Sequence, residues 1–508
     1  MDDKIIISNR SALLAKYGSK GLAAIHKALT SLKSADKQRG IDSRVVYLDD
    51  AAMMKKLGGK AVSKASNRRE SKAAVDAVFG KLKPDYLMIL GAHDVVPHQD
   101  IANPVFEPEG EDDDRYAWSD LPYACDVTYS RDPARFVGPT RVVGRVPDLV
   151  SAREPSYLIA LLKTAAHYKR RAPKDYAAYF GLSAAVWEGS SRLSLENMVG
   201  NSTGLRLSPA AGPTHPPGQL RARTHFINCH GGESSPEFQG QKGKQFFSAL
   251  TTATLSGKIA EGTVAAAECC YGAQLYDALT LAIELPICQS YLRQGAYGYF
   301  GSTTIAYGPA DDNGAADLVC QYFLRNVLAG ASLGRAALMA RQEFVANTGQ
   351  MDPVDLKTLA QFYLLGDPSI HPVARADAPK QLGGTAERFL RAERRAKLST
   401  TGDFLGKTKP TASRPAKKTR LAPGTQAALG NLAKLAGLSE TQAFKAFAVK
   451  GGAVAKTRGA KRANVPTRYH LAIGSPGKPG RDEFSRGVAI VAKELDGHIV
   501  AYRIYQQR

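Results

Sequence analysis

Short runs of β-branched or apolar residues alternate with longer amphipathic stretches through the first three-quarters of the chain. This rhythm predicts a mainly parallel sheet with helices packed on its faces. Strands are expected at Lys4–Ser8, Ser43–Leu48, Asp85–Leu90, Arg141–Val143, Tyr176–Ser183, Thr224–Cys229, Thr263–Glu268 and Ala296–Gly301. Helices are expected near Gly18–Leu32, Glu70–Leu82, Ala152–Arg170, Lys244–Ser256, Leu279–Gln294 and Ala315–Ala329. In such sheets ligands sit beyond the carboxyl ends of the strands, so the residues just after each strand are the place to look for chemistry.

From about Asp377 to Pro423 the periodicity fades into Arg, Lys, Thr, Pro and Gly, the pattern of a solvated linker. Beyond it a helical stretch over roughly Thr425–Val449 precedes predicted strands at Tyr469–Ile473, Gly487–Glu494 and His498–Tyr505, with Asp496-Gly497 as a hairpin turn. The expected organisation is an α/β body over 1–375, a basic flexible linker over 376–423 and a small basic α+β module over 424–508.

Composition narrows the class. Hydrophobic residues make up 44% of the 508 and charged residues 23%, which excludes a wholly disordered, collagenous or coiled-coil chain. The net charge is +21, from 68 Lys and Arg against 47 Asp and Glu, and most of it falls after Asp377. A charge so placed makes phosphate contact by the tail physically easy. Within the tail, Leu432–Phe447 faintly resembles a helix-turn-helix, with Gly437 in the turn and Ser439 capping the next helix. Two readings stand there: nucleic-acid binding, or an αα-hairpin with solvated lysines. The six Cys are irregularly spaced, so reduced thiols are expected. The start lacks a signal-peptide pattern and no apolar run is long enough to span a membrane, giving a cytoplasmic, non-membrane expectation.

Two segments carry candidate chemistry. Thr224-His-Phe-Ile-Asn-Cys-His-Gly-Gly232 is an apolar strand running into His230 and two glycines, a setting for a general base beside a closely approaching backbone. Thr263-Val-Ala-Ala-Ala-Glu-Cys-Cys-Tyr-Gly-Ala273 is a second apolar strand ending in two thiols and a small-residue turn, where a thiolate could attack a carbonyl. Cys229, Cys288 and Cys320 read instead as small core residues. His93-Asp94 with His98 and Asp100 invites a metal reading, but packing and turn roles suit that stretch better. Glu111-Asp-Asp-Asp114 reads as a solvated charge run, and Asp311-Asp-Asn-Gly314 lacks the distal Glu of a calcium loop.

Together the two blocks resemble those of caspase-like cysteine peptidases, and among them the gingipain-type family. Phe226-Ile-Asn-Cys-His-Gly231 is similar to that family's histidine block and Ala267-Glu-Cys-Cys-Tyr-Gly-Ala273 to its cysteine block. Leu87–Pro97, Val143–Pro147, Gly295–Ser302 and Leu365–Pro368 are similar too, so the agreement runs from about Tyr86 to Val373. The resemblance implies a caspase-like α/β fold and a cysteine endopeptidase with a Cys/His dyad and no obligatory cofactor. It implies Cys270 as nucleophile, His230 as proton carrier, and the N–H groups of Gly231 and Cys270 as oxyanion donors. Glycine spacing favours Cys270, whereas the spacing of some relatives would select Cys269. It also points to Glu188 as the pocket carboxylate for Arg or Lys, with Trp187 as a wall, against a plain solvated loop carboxylate. Structural calcium at the acidic run, as relatives bind, is a further implication. A protein or peptide substrate follows, and cleavage after basic residues would open the linker to self-cleavage. The competing reading is a catalytically silent peptidase-like scaffold whose tail binds nucleic acid or an acidic partner.

Overall fold

The structure, a computed structural model, describes residues 2–374, 384–408, 412–417, 421–449, 467–476 and 487–508. Its centre is a ten-stranded sheet. In spatial order the strands are Ser43–Tyr47, Lys4–Ser8, Tyr86–Leu90, Val143–Val146, Phe362–Leu365, Gly298–Ser302, Val264–Ala267, Thr224–Asn228, Tyr179–Ala184 and Leu205–Ser208. The first five run parallel to one another, as do the last five. The two sets meet antiparallel where Phe362–Leu365 lies against Gly298–Ser302. Helices flank this sheet, the mainly parallel α/β architecture that the motifs imply.

Strands such as Lys4–Ser8, Tyr86–Leu90 and Thr224–Asn228 are buried along their whole length, which is why they read as unbroken apolar runs rather than alternations. Helix Arg10–Gln38 begins earlier than its periodicity suggests because the Asn9 side chain accepts the Ala12 N–H and caps it, while Gly18, with φ +64°, marks a kink inside. The expected helix Leu279–Gln294 is split into Ala278–Leu281 and Ile287–Arg293, with Pro286 at the entry to the second piece.

Three expectations are corrected. Lys244–Ser256 is not a helix: Gln245–Thr251 is a strand and only Thr252–Leu255 is helical. The strand turns back at Gly243 to pair with Glu237–Lys242, which pairs in turn with His230–Gly231. Part of the expected linker is a 25-residue helix, Gly384–Thr408, docked on the body. Its Arg391 is 3% exposed and reaches the Gly40 carbonyl and the carboxylates of Asp3 and Asp85. In the tail, helix Pro423–Leu435 is followed, past Gly437, by strand Lys445–Val449 rather than by a second helix, so the helix-turn-helix pattern is absent among the described residues.

The tail's strands form an antiparallel sheet in the order Ser413–Pro415, Lys445–Val449, Arg468–Gly474, Val488–Leu495 and His498–Gln507, with Asp496-Gly497 at the hairpin turn. Its outer partner comes from the body: Gln507 and Gln506 pair with Tyr307 and Gly308. The tail is thus joined to the body by its last strand, close to the carboxyl ends of the second strand set. Among the described residues no helix is long and apolar enough to cross a membrane.

Candidate active site

The parallel strands Thr224–Asn228 and Val264–Ala267 lie side by side and deliver His230 and Cys270 to the same edge of the sheet. The small Val-Ala-Ala-Ala strand lets its neighbours close in on both sides. Contact between the two loops is intimate. A methyl group on Gly231 would lie 1.8 Å from the Cys270 carbonyl oxygen, so only glycine fits there.

The doubled cysteine divides into two environments. Cys269 is fully buried, and burial pushes its thiol well above the ordinary range. Cys270 is 3% exposed, and its Sγ accepts the Ala306 N–H at 3.2 Å. The loop is held from behind: Tyr271, at φ +52°, donates its N–H to the Thr304 carbonyl and its hydroxyl to Asp114.

The imidazole of His230 is 4.2 Å from the Trp187 ring and 5.0 Å from that of Phe246. Its Nε2 is 2.7 Å from Gln241 Oε1, while the Gln241 amide nitrogen donates to the Gly243 carbonyl at 2.6 Å. That second bond orients the amide, leaving its oxygen to accept. The neutral imidazole therefore carries its proton on Nε2 and its lone pair on Nδ1. Gln241 and Phe246 both belong to the ribbon whose second strand the sequence reading took for a helix.

The cleft beside these residues is filled by the chain itself. The Arg508 carbonyl oxygen accepts N–H groups from Cys270 at 3.1 Å and Gly231 at 3.4 Å, and its own N–H donates to the Ala306 carbonyl at 3.0 Å. Its side chain is fully buried. The guanidinium lies 4.3 Å over the Trp187 ring and donates to Asp317 at 2.9 Å and to the Pro309 carbonyl at 2.7 Å. A Cβ at Gly308 would fall 2.2 Å from Arg508 Nη2, so the pocket exists only because residue 308 lacks a side chain.

Asp317 stands in the first turn of helix Ala315–Leu328, where the helix dipole favours a carboxylate. Glu268 lies against it. Both are fully buried, and burial together with the mutual carboxyl interaction pushes Glu268 well above its usual range; burial also raises Asp317, against the pull of Arg508. Of the two, Glu268 is driven further toward its neutral form, and Arg508 is the counter-ion of Asp317.

The structure thus brings together His230, Gly231, Cys270 and Trp187. Glu188 lies outside the pocket: it opens helix Glu188–Val199, is about half exposed, and pairs with Arg192 at 2.7 Å. Asp317 and Arg508 escaped the sequence reading. A carboxylate in the otherwise apolar Ala-Ala-Asp-Leu-Val-Cys run was the available signal for Asp317, since a buried charge needs a partner.

The other acidic groups have internal partners. Asp112, expected on a solvated run, is fully buried and pairs with Lys357, which also approaches Asp114 at 3.8 Å. Asp94 pairs with Lys16 and Asp100 with Arg131, so these carboxylates do not converge with His93 and His98. Among the described residues no group of three or more His, Cys, Asp or Glu is arranged to hold a metal ion.

No curated protein matches. The chain is similar to a solved structure described as the structure of a protease, at 14% identity over 99% of this chain and 96% of that one, with TM-score 0.46. It is also similar to a chain of the Saccharomyces cerevisiae separase-securin complex, at 13% identity over 46% of this chain and 14% of that one, with TM-score 0.26. Residues 224–373, the stretch carrying His230, Cys270 and Asp317, match the model of peptidase family C25, the gingipain family of cysteine peptidases that the motifs resemble.

Proposed function

We propose that this protein is a cysteine endopeptidase that cuts protein or peptide substrates after arginine, with Cys270 as nucleophile and His230 as proton carrier. Cys270 Sγ attacks the scissile carbonyl carbon and the thiol proton passes to His230. The tetrahedral oxyanion is held by the N–H groups of Gly231 and Cys270. His230 then protonates the leaving amine, the C–N bond breaks, and a thioester remains. Water, deprotonated by His230, attacks the thioester and releases the new carboxylate with the thiol restored.

The observation that carries the reading is the seating of Arg508, whose carbonyl oxygen accepts both N–H groups while its guanidinium meets Asp317. Asp317, with Glu268 behind it and Trp187 as wall, would select arginine. A desolvated, charge-assisted guanidinium–carboxylate contact discriminates strongly against neutral side chains. Glu188 has no part in this version of the pocket.

Because Arg508 fills the cleft, the test uses Arg508→Ala as the parent. A mixed peptide library is incubated with it and with its Cys270→Ala and Cys269→Ala forms, and products are read by mass spectrometry. Cuts after Arg should fall more than about a thousandfold in the first and persist in the second. Loss in the Cys269 variant instead would reassign the nucleophile. No cuts by a folded parent would favour the silent scaffold.

A further inference from the structure

We infer that the segment Tyr505–Arg508 is a built-in competitive ligand of the cleft, a substrate mimic that keeps the enzyme latent and records the kind of peptide the cleft accepts. The inference rests on the peptidase reading for the meaning of the cleft, and on three further observations.

First, the segment is bound as an extended strand on a backbone edge. Gln507 and Gln506 pair antiparallel with Tyr307 and Gly308, and Arg508 continues the ladder to Ala306. Adding a strand to an exposed edge is a general mode of peptide recognition, with main-chain bonds giving affinity and alternate side chains giving specificity.

Second, each side chain of the segment has a made place. Gln506 Oε1 accepts the Trp187 indole N–H at 2.6 Å. The Gln507 amide donates to the Glu111 carbonyl at 2.6 Å and to the Tyr307 hydroxyl at 3.1 Å, and accepts the Gly487 N–H at 3.0 Å. Tyr505 is buried, with its hydroxyl 3.3 Å from Asp352. Trp187 therefore serves two alternate positions, through its ring for Arg508 and its N–H for Gln506. The matching substrate class is an extended peptide with arginine on the acyl side of the cut bond and hydrogen-bonding side chains at the two positions before it.

Third, the segment is tethered. It continues the strand His498–Gln507, which is paired along its length with Val488–Leu495, so its local concentration at the cleft far exceeds that of a free peptide. Withdrawing the guanidinium leaves the buried Asp317 without its counter-ion. The open state is therefore costly until another arginine enters. Only a substrate bringing its own guanidinium replaces what is lost.

The test compares the full chain with its Arg508→Ala form, whose thermal melting is checked first. Two readouts are taken: alkylation of Cys270 by iodoacetamide, mapped by mass spectrometry, and hydrolysis of a blocked Gln-Gln-Arg coumarin amide. The variant should alkylate and hydrolyse at least about tenfold faster, and acetyl-Tyr-Gln-Gln-Arg added in trans should slow both again. Equal alkylation rates would overturn the inference whatever the hydrolysis shows, as would equal hydrolysis by two active forms. Faster alkylation without hydrolysis by either form would leave the occupant in place but remove the latent peptidase. Should Arg508→Ala melt early, Arg508→Lys serves as second variant. Its shorter, non-planar head cannot match the guanidinium contacts, so intermediate rates are expected, and rates equal to those of the parent would count against the inference.

Discussion

Lys4 in the first half of the sheet and Arg508 beside the second are both buried against carboxyl groups, and the two differ in whether the cation can leave. In the first half Lys4 Nζ, fully buried, lies 2.8 Å from Asp36 and also bonds Asp367. Burial opposes the Lys4 charge, but the two carboxylates outweigh it and its pKa ends above the ordinary value. Lys4 opens a strand paired on both sides, with Ser43 and Tyr86 as its neighbours, so its ammonium cannot withdraw without unmaking the sheet. In the second half the cation is Arg508, which follows a strand held to the body through Tyr307 and Gly308. The same electrostatic device is a structural rivet where its members sit in the core. On the proposed reading it becomes a recognition site where one member arrives on an edge.

The sharpest way to break that comparison is to neutralise one partner in each half. Lys4→Met leaves the buried Asp367 without its cation and Asp36 with Arg39 alone, and should destabilise the protein by about 3–5 kcal/mol, read by denaturant midpoint. Asp317→Asn should shift stability by less than about 1.5 kcal/mol, because Arg508 can leave for water, while cutting arginine-directed kcat/KM about a hundredfold or more in the Arg508→Ala background. Glu268→Gln should be mild on both scales, since burial keeps Glu268 protonated and glutamine is its neutral shape-mate. A stability loss at Asp317 as large as that at Lys4 would mean that the second cation is as fixed as the first.

Why one half was more legible than the other follows from the same contrast. Strands such as Lys4–Ser8, Thr224–Asn228 and Val264–Ala267 show themselves through continuous apolar runs, because both faces of the sheet are covered. The His and Cys blocks stand out because their strands end in glycine-rich turns. The ribbon Glu237–Thr251 was obscured because Gln-Phe-Phe-Ser-Ala-Leu-Thr alternates weakly, its outer residues being exposed and its inner ones meeting Leu-free polar strand neighbours such as Gln239 and Gln241. Arg508 was invisible for a different reason: nothing local distinguishes it from the other tail cations, and its meaning comes from a contact 191 residues away in the chain, with Asp317.

A smaller effect is expected at Gln241, which separates positioning of the base from its presence. Gln241→Leu removes the acceptor that fixes the imidazole tautomer and should lower kcat by about tenfold with little change in KM, a fraction of what a general base contributes. Gln241→Glu keeps the acceptor and adds a charge that raises the imidazole pKa, so it should recover rate while moving the imidazole-governed limb of the pH profile upward. If Leu and Glu change the rate alike and leave the profile in place, the bond only stiffens the ribbon.

A pH-dependent effect concerns another buried cation, Lys357, whose carboxylates stand behind the cysteine loop. Burial pushes the Asp114 carboxyl up to about 6, with Lys357 opposing and Asp112 adding to the rise. The folded pKa lies above the unfolded value, so the folded chain holds a proton that the unfolded chain gives up as pH rises from about 4 to 6. Asp114 therefore contributes stability at low pH that is lost through that window and absent above it. At the linkage value of about 1.4 kcal/mol per pH unit this amounts to about 3 kcal/mol at most. Asp114→Asn does not titrate, so the stability difference between variant and parent should shift in the variant's favour between pH 4 and 6 and then stay level. The carboxylate also accepts the Ile305 N–H and the Tyr271 hydroxyl, and losing one of those bonds adds only a pH-independent offset. A difference that stays constant from pH 4 to 7 would show Asp114 titrating as an ordinary surface carboxylate.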